Sequence, residues 1–364
     1  MKKTVIFGTL SCLAGASFAQ PANVTIYGLL DIGVESVSNV GAAGNTLNRM
    51  PTSTNSMPSR LGFRGREDLG NGLSAFFTIE QGIIGKSGTL SQGGRTFGRQ
   101  AFVGLSGPFG SVALGRQYTM TFWSGTSADI HGGGIYGTGS LDSYLPNARA
   151  DNALSWRRKF GNLDLGATYS FGRDAVNAGP SPAGTNCPGE SKDSKACREW
   201  SVMAKYDTPQ WGAAIANDRI YGRTLSGPGD AIFGGLNSSD KSDNRLILNG
   251  WFKVGEAKIG GGLIRRANDG STTRPDSSLY HVGASMPLSS ALTLSGQVVT
   301  LRFKATSDAT ATVSAARLTY ALSKRTAVYG QIGHISNGVL SSVAVSGGSP
   351  GSNPAVGASQ TGIN

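Results

Sequence analysis

Beyond its first twenty residues the 364-residue chain has no run of about eighteen apolar residues, the length a helix needs to cross a bilayer. That excludes a transmembrane helix there and nothing more, because membrane strands hide their hydrophobicity in alternation. Cysteine is nearly missing, with three residues, one of them Cys12 near the N-terminus. Histidine is as scarce, and His131, His281 and His334 stand too far apart for a zinc spacing. No G-x-S-x-G occurs, which removes the nucleophile elbow. The stretch "GIIGKS" at 82–87 has two residues between its glycines where a phosphate-binding loop has four. No metal, no cofactor and no catalytic group are therefore expected. Apolar residues make up only 38%, little for a large packed core, and charged residues 15%.

Glycine is what the chain has in excess: 54 residues, about twice the usual ~7% share. Within a helix each would cost about 1 kcal/mol relative to alanine, so this composition favours tight turns and closely approaching strands. The opening "MKKTVIFGTLSCLAGASFAQ" reads as a signal peptide over residues 1–19. It has Lys2 and Lys3, an apolar run, and small Ser17 and Ala19 before a cut at Gln20. Thr9 and the apolar run continuing past Cys12 argue against lipid attachment at that cysteine. Losing the two lysines takes the formal net charge from +11 to +9. Such a basic balance can signal nucleic acid, but these charges are scattered along strands of an exported chain, so no nucleic-acid partner is expected. The two remaining cysteines, Cys187 and Cys197 in "NCPGESKDSKACRE", most simply form one disulfide stapling a polar loop.

Alternation fills the rest. In "SRLGFRGRED" (59–68) Arg60, Arg64 and Arg66 share one face of a strand and Leu61 and Phe63 the other. "LSAFFTIEQ" (73–81), "NLDLGATYSF" (162–171) and "EWSVMAKYD" (199–207) alternate likewise. Counting 24–34, 96–105, 110–118, 149–157, 211–221, 244–254, 256–265, 278–286, 291–303, 310–322 and 325–335 as well, about fifteen strands are expected. Short turns such as "EDLGNG" and "KFGN" roughly alternate with long polar connections such as 37–57, 119–148, 172–197 and 222–242. That is the pattern of an all-β antiparallel transmembrane barrel. A secreted sandwich or a β-helix would also alternate. The barrel is favoured by aromatics on the apolar faces (Trp156, Tyr169, Trp200, Tyr206, Trp211), by full charges opposite them, and by the lack of a fixed-period repeat. An arginine on the lipid face near the midplane costs about 2–4 kcal/mol, which turns Arg60, Arg64, Arg66 and Arg157 toward a wet lumen. No linker divides residues 20–336.

Taken together, "VTIYGLLDIG", "SRLGFRGREDLGNGLSAFFTIEQG", "FGRQAFVGL", "GSVALGRQY" and "YALSKRTAVYGQIGHISNG" resemble the general diffusion porins of Gram-negative outer membranes, in their betaproteobacterial branch. The resemblance runs from about residue 23 to 338. It implies about sixteen antiparallel strands, a third loop folded into the lumen, and a homotrimer set among outer-membrane lipid and lipopolysaccharide. It also implies passive passage of small hydrophilic solutes and ions, with no cofactor and no catalysis. The resemblance places Arg60, Arg99 and Arg149 on the basic wall of the constriction and Asp129 and Asp142, in the loop 119–148, on its acidic side. The family's basic residue in the first strand falls at Leu29, so that wall is less charged here. Weak anion preference is the expectation. Three alternatives stay open: a substrate-selective channel of this fold, which would need an aromatic track or binding residues in the lumen; an adhesin whose loops 172–197 and 222–242 bind partners; and an outer-membrane hydrolase with a Ser–His pair.

One feature departs from the family pattern. No alternating strand follows "GQIGHISNG", and the chain stops at "SNPAVGASQTGIN" instead of a last strand ending in an aromatic residue. A fragment of a longer chain, a defective gene product, or partial cover of the gap by 358–364 would each account for it. The inside-out partition is open to labelling. Single cysteines replacing Leu61 and Phe63 should react with bilayer-soluble probes and those replacing Arg60, Arg64 and Arg66 with impermeant hydrophilic reagents; the reverse pattern refutes the barrel.

Overall fold

The computed structural model describes residues 23–52, 55–173, 187, 192–224, 236–270, 276–304, 307–347 and 351–364. The expected signal peptide and much of the loops 172–197 and 222–242 lie outside the described residues. Every segment expected to alternate contains a strand. The first, β1 (Asn23–Leu29), breaks after Leu29 and resumes as β2 (Glu35–Val40), which turns back as the short β3 (Asn45–Arg49). Then come β4 (Arg60–Gly70), β5 (Leu73–Ile84), a two-residue β6 (Thr89–Leu90), β7 (Gln100–Gly107) and β8 (Gly110–Tyr118). After the third loop follow β9 (Arg149–Phe160), β10 (Leu163–Ser170), β11 (Glu199–Asp207), β12 (Trp211–Tyr221) and β13 (Ser242–Val254). The series continues with β14 (Ala257–Asn268), β15 (Asp276–Pro287), β16 (Leu292–Phe303), β17 (Ala311–Ala321), β18 (Ala327–Asn337) and β19 (Gln360–Ile363).

The strands form one antiparallel sheet in which sequence neighbours pair, β6 hanging off β5 and β7 taking its place in the wall. β1 pairs with β4, Leu29 facing Arg60. At the other end of the chain β19 pairs with β18 from Ile335–Gln360 to Ile332–Ile363, and with β2 through Val37–Gly362 and Ser36–Ile363. No alternation follows "GQIGHISNG", yet within 358–364, the segment expected as partial cover of the gap, "QTGI" at 360–363 forms a strand too short to display a period. It bridges β18 to β2 at the long-loop end of the tube. Toward the short-turn end, β1 is paired along one edge only among the described residues, and Val24 and Ile26 are exposed.

Burial is inverted relative to a soluble protein. On β12 Trp211 and Ile215 stand exposed on the outer face, while Asp218 and Ile220 are covered on the inner one. The outer face ends in aromatics at both rims: Tyr169 opposite Trp200 near the long loops, Tyr206 against Trp211 near the short turns. This is the apolar band and double girdle that a barrel presents to lipid.

The connection from β8 to β9 does not leave the tube. It carries two short helices, α1 (Met120–Gly125) and α2 (Thr138–Leu141), and crosses the lumen. α1 rests on β10–β13, α2 on β16 and β17, and Tyr136 reaches β18. Glycines in the wall make room for it. A β-carbon on Gly166 would collide with Met120 Sδ, one on Gly260 with the Ala128 carbonyl oxygen, and one on Gly333 would stand 2.6 Å from the Tyr136 ring. Part of the glycine excess is thus a seat for this loop. Because the obstacle at Gly260 is backbone, Gly260→Ala should displace the loop and change single-channel conductance. Gly330→Ala, where nothing lies within 4 Å, should leave it unchanged; equal effects would refute the seat.

Candidate functional site

Inside the tube the charges divide by wall. Arg60 stands at the start of β4 and Arg99 just before β7, both against Glu80 of β5. Arg99 Nε donates to Glu80 Oε1 at 2.6 Å and its Nη2 to the Tyr118 hydroxyl at 2.8 Å. Arg60 Nε reaches Glu80 only at 4.0 Å and keeps about a quarter of its side chain exposed. The Tyr27 hydroxyl donates to the other Glu80 oxygen. One carboxylate therefore serves two arginines, and the wall stays net positive. Arg149 is placed behind this layer. Its guanidinium is buried over the Tyr118 ring and donates to that hydroxyl at 2.6 Å. Arg64 lies over Tyr27, Arg66 donates to Ser106, and Arg157 pairs with Asp164 while covering Trp123. These three face inward, toward the short-turn end.

The two loop acids part company. Asp129 lines the narrow cavity together with Arg60 and Arg99. It accepts from Thr138 Oγ1 at 2.6 Å, Gln297 Nε2 at 2.8 Å and the Gly132 N–H at 3.1 Å, and among the described residues it has no ion pair. Asp142 faces the barrel wall instead, paired with Arg245 at 3.0 Å. Its task is anchoring, shared with Tyr144, whose hydroxyl donates to Glu199 and Asp218. Lys205 Nζ secures the first half of the loop through Ser127 and Thr126. The tip is held by Tyr136, which donates to Glu35, itself paired with Arg49 at 2.7 Å. Cys187 and Cys197 are joined as a disulfide.

Two lining residues escaped the sequence reading. Arg317 of β17 borders the cavity and makes no ion pair among the described residues. Its position was legible in the alternation of "VSAARLTYA", with Arg317 and Thr319 opposite the exposed Leu318 and Tyr320. His131 had no such signal. Its Nδ1 donates to the Tyr136 carbonyl at 3.1 Å, its Nε2 lies 3.2 Å from Ser295 Oγ, and its backbone N–H donates to Gln297.

The family model described as Gram-negative porin matches residues 6–339. The chain belongs to the Gram-negative porin family. Outer membrane porin protein 32 of Delftia acidovorans is 31% identical to this porin over 352 residues, covering 93% of this chain and 90% of that one. Major outer membrane protein P.IB of Neisseria meningitidis is 41% identical over 118 residues, 32% of this chain and 34% of its own. Among solved structures, the anion-selective porin from Comamonas acidovorans superposes with a TM-score of 0.74 at 27% identity, covering 94% of this chain and 97% of that one. OmpT of Vibrio cholerae, with a TM-score of 0.61 at 13% identity over 95% and 97% of the two chains, shares the fold. This porin is accordingly an outer-membrane channel protein for passive diffusion, and not an enzyme.

Burial, with the Arg317 guanidinium nearby, holds the His131 imidazole below its ordinary value. The folded loop thus favours neutral His131. The stability this gives is complete above about pH 6.5, the unfolded value, and is lost as pH falls through the lowered one. Acidification from pH 7 should loosen the third loop and make the single-channel current noisier. His131→Gln should flatten that dependence, and an equally pH-sensitive variant refutes the assignment.

Proposed function

We propose that this porin is weakly selective for small anions, that its narrowest passage runs between Arg60, Arg99 and Arg317 on one side and Asp129 on the other, and that it works as a homotrimer bounded by outer-membrane lipid and lipopolysaccharide. The observation that carries the selectivity is the balance of charge at the narrow cavity. Three arginines border it, one carboxylate (Glu80) is shared behind two of them, and Asp129 faces them alone. Arginine stays charged at any biological pH, so the field across the gap is fixed. Charged side chains placed around a wet constriction bias which ion enters. The mature charge of +9 expected after signal removal acts in the same direction at long range. The trimer rests on the family resemblance, and the lipid contact on the exposed apolar band.

The reversal potential in a KCl gradient tests this. The wild type should favour chloride. Arg60→Gln or Arg317→Gln should lower the chloride-to-potassium permeability ratio about two- to fivefold, the range that up to ~1 kcal/mol between charges 4 Å apart in water provides. Asp129→Asn should raise it. Clear cation preference in the wild type overturns the reading. Light scattering of the detergent-solubilised protein should give three copies, and a monomer refutes the assembly.

A further inference from the structure

Not every strand arginine faces the lumen. Arg219 of β12, Arg265 of β14 and Arg302 of β16 point outward, and each lies within three residues of its strand's end at Tyr221, Asn268 or Phe303, where the long loops begin. Their direction follows from phase. Arg265 comes after buried Ile264 and pairs with the exposed Leu246; Arg302 comes after covered Leu301 and shares its face with the exposed Val298. Arg219 shares its face with the exposed Ile215 and Trp211. Near the short turns the outward strand positions carry one cation among the described residues, Arg158, which lies over the Phe160 ring. The outward cations are therefore gathered at the surface of one leaflet, the external one.

An arginine turned to lipid is costly at the bilayer midplane and nearly free at its interface. That allows cations at a rim but does not bring them together, and strand pairing does. Arg265 faces Ser278, and Ser278 faces Arg302, in one row across β14, β15 and β16. The two arginine α-carbons stand two strand spacings apart, about 10 Å. Two long side chains can close that span on a single anion above the small serine. Both arginines are exposed, and neither has an ion pair among the described residues. Asp276, the next outward residue of β15, has Lys304 beside it, whose N–H donates to the Asp276 carbonyl. Arg219 is already tied, its Nε donating to Ser242 Oγ at 3.2 Å and its guanidinium lying by the Tyr221 ring. Toward the midplane the same face turns apolar, with Leu248, Tyr280 and Val298 exposed.

We propose that the outer face of β14–β16 is a docking site for one phosphorylated glycolipid of the outer leaflet, with Arg265 and Arg302 closing on a headgroup phosphate over Ser278 and the acyl chains lying on Leu248, Tyr280 and Val298. A phosphate is the anion that suits such a pair, because its oxygens accept charge-assisted bonds from two planar guanidinium groups at once. A zwitterionic phospholipid carries its own cation beside the phosphate and gains less from the pair. The long arginine stems cover apolar surface while their heads stay at the wet interface. This deepens the lipid contact proposed above and rests on it.

Native mass spectrometry of the folded protein in detergent tests the site, with rough lipopolysaccharide titrated in EDTA so that no divalent cation bridges the partners. The expected result is one tightly held glycolipid per chain. Arg265→Gln and Arg302→Gln should each weaken it about tenfold, the scale of a lost charge-assisted hydrogen bond, and enzymatic removal of the glycolipid phosphates should weaken it as much. Arg158→Gln should leave it unmoved. Inorganic phosphate at the same concentration should not displace the glycolipid; equal displacement overturns the lipid site in favour of a plain phosphate site. Equal binding of phosphorylated and dephosphorylated forms, or of wild type and both rim variants, also overturns the site and leaves the general lipid contact standing. A wild type that inserts into no bilayer overturns that contact itself. Arg265→Gln and Arg302→Gln channels should keep the wild-type conductance and KCl reversal potential, which shows that they fold; a shifted reversal potential would put these arginines in the lumen and overturn the site.

Discussion

Inside a bilayer no water is at hand for the backbone, so every N–H and C=O must find its partner in the chain. The rest of this structure follows from that constraint. It demands a sheet that returns to its own first strand, and the sheet then forces alternate side chains into two unlike solvents. Leu61 and Phe63 go outward because Arg60 and Arg64 go inward. At the long-loop end four residues, Gln360–Ile363, bridge β18 to β2, while β1 is paired along one edge only among the described residues.

A tube of this kind is too wide to be selective until something fills it, and the third loop does so. Apart from the Tyr136–Glu35 bond at its tip, its fixings fall on the β10–β18 side: Lys205, Asp218, Arg245 and the wall glycines at 166, 260 and 333. The wall from β4 to β7 is left free, with its arginines looking across the gap. The proposed charge separation at the constriction thus follows from where the loop is tethered. Asp142 is spent on the tether, and Asp129 is left to face the pore.

Much of this was legible in advance. β8, β11 and β12 begin and end at 110–118, 199–207 and 211–221, where the alternation starts and stops. Strong alternation bounded by glycine and polar turns reports two opposed environments, and that signal is local. Three short strands in the first and last loops, Glu35–Val40, Asn45–Arg49 and Gln360–Ile363, were not legible, because a handful of residues cannot display a period and their pairing is set by partners distant in the chain. Arg317 could have been found from the inward phase of its strand. His131 could not, because nothing in "ADIHGGG" says that its imidazole will meet Ser295 of β16.

The amino-acid order by itself determined the class of protein, the inward row of arginines and the outward apolar band, since each depends only on which face of a strand a residue occupies. Tertiary structure alone decided which of those charges act. Arg99 and Arg149 stand on the same inner wall as Arg60, yet Arg99 is held fast by Glu80 and Tyr118 and Arg149 is buried over the Tyr118 ring. Asp129 and Asp142 lie in one loop, yet only the first borders the gap. The physical reason is distance. Phase along a strand is a property of neighbouring residues, whereas the effective charge at a constriction depends on partners brought within about 4 Å from elsewhere in the chain, where interaction in water still approaches ~1 kcal/mol.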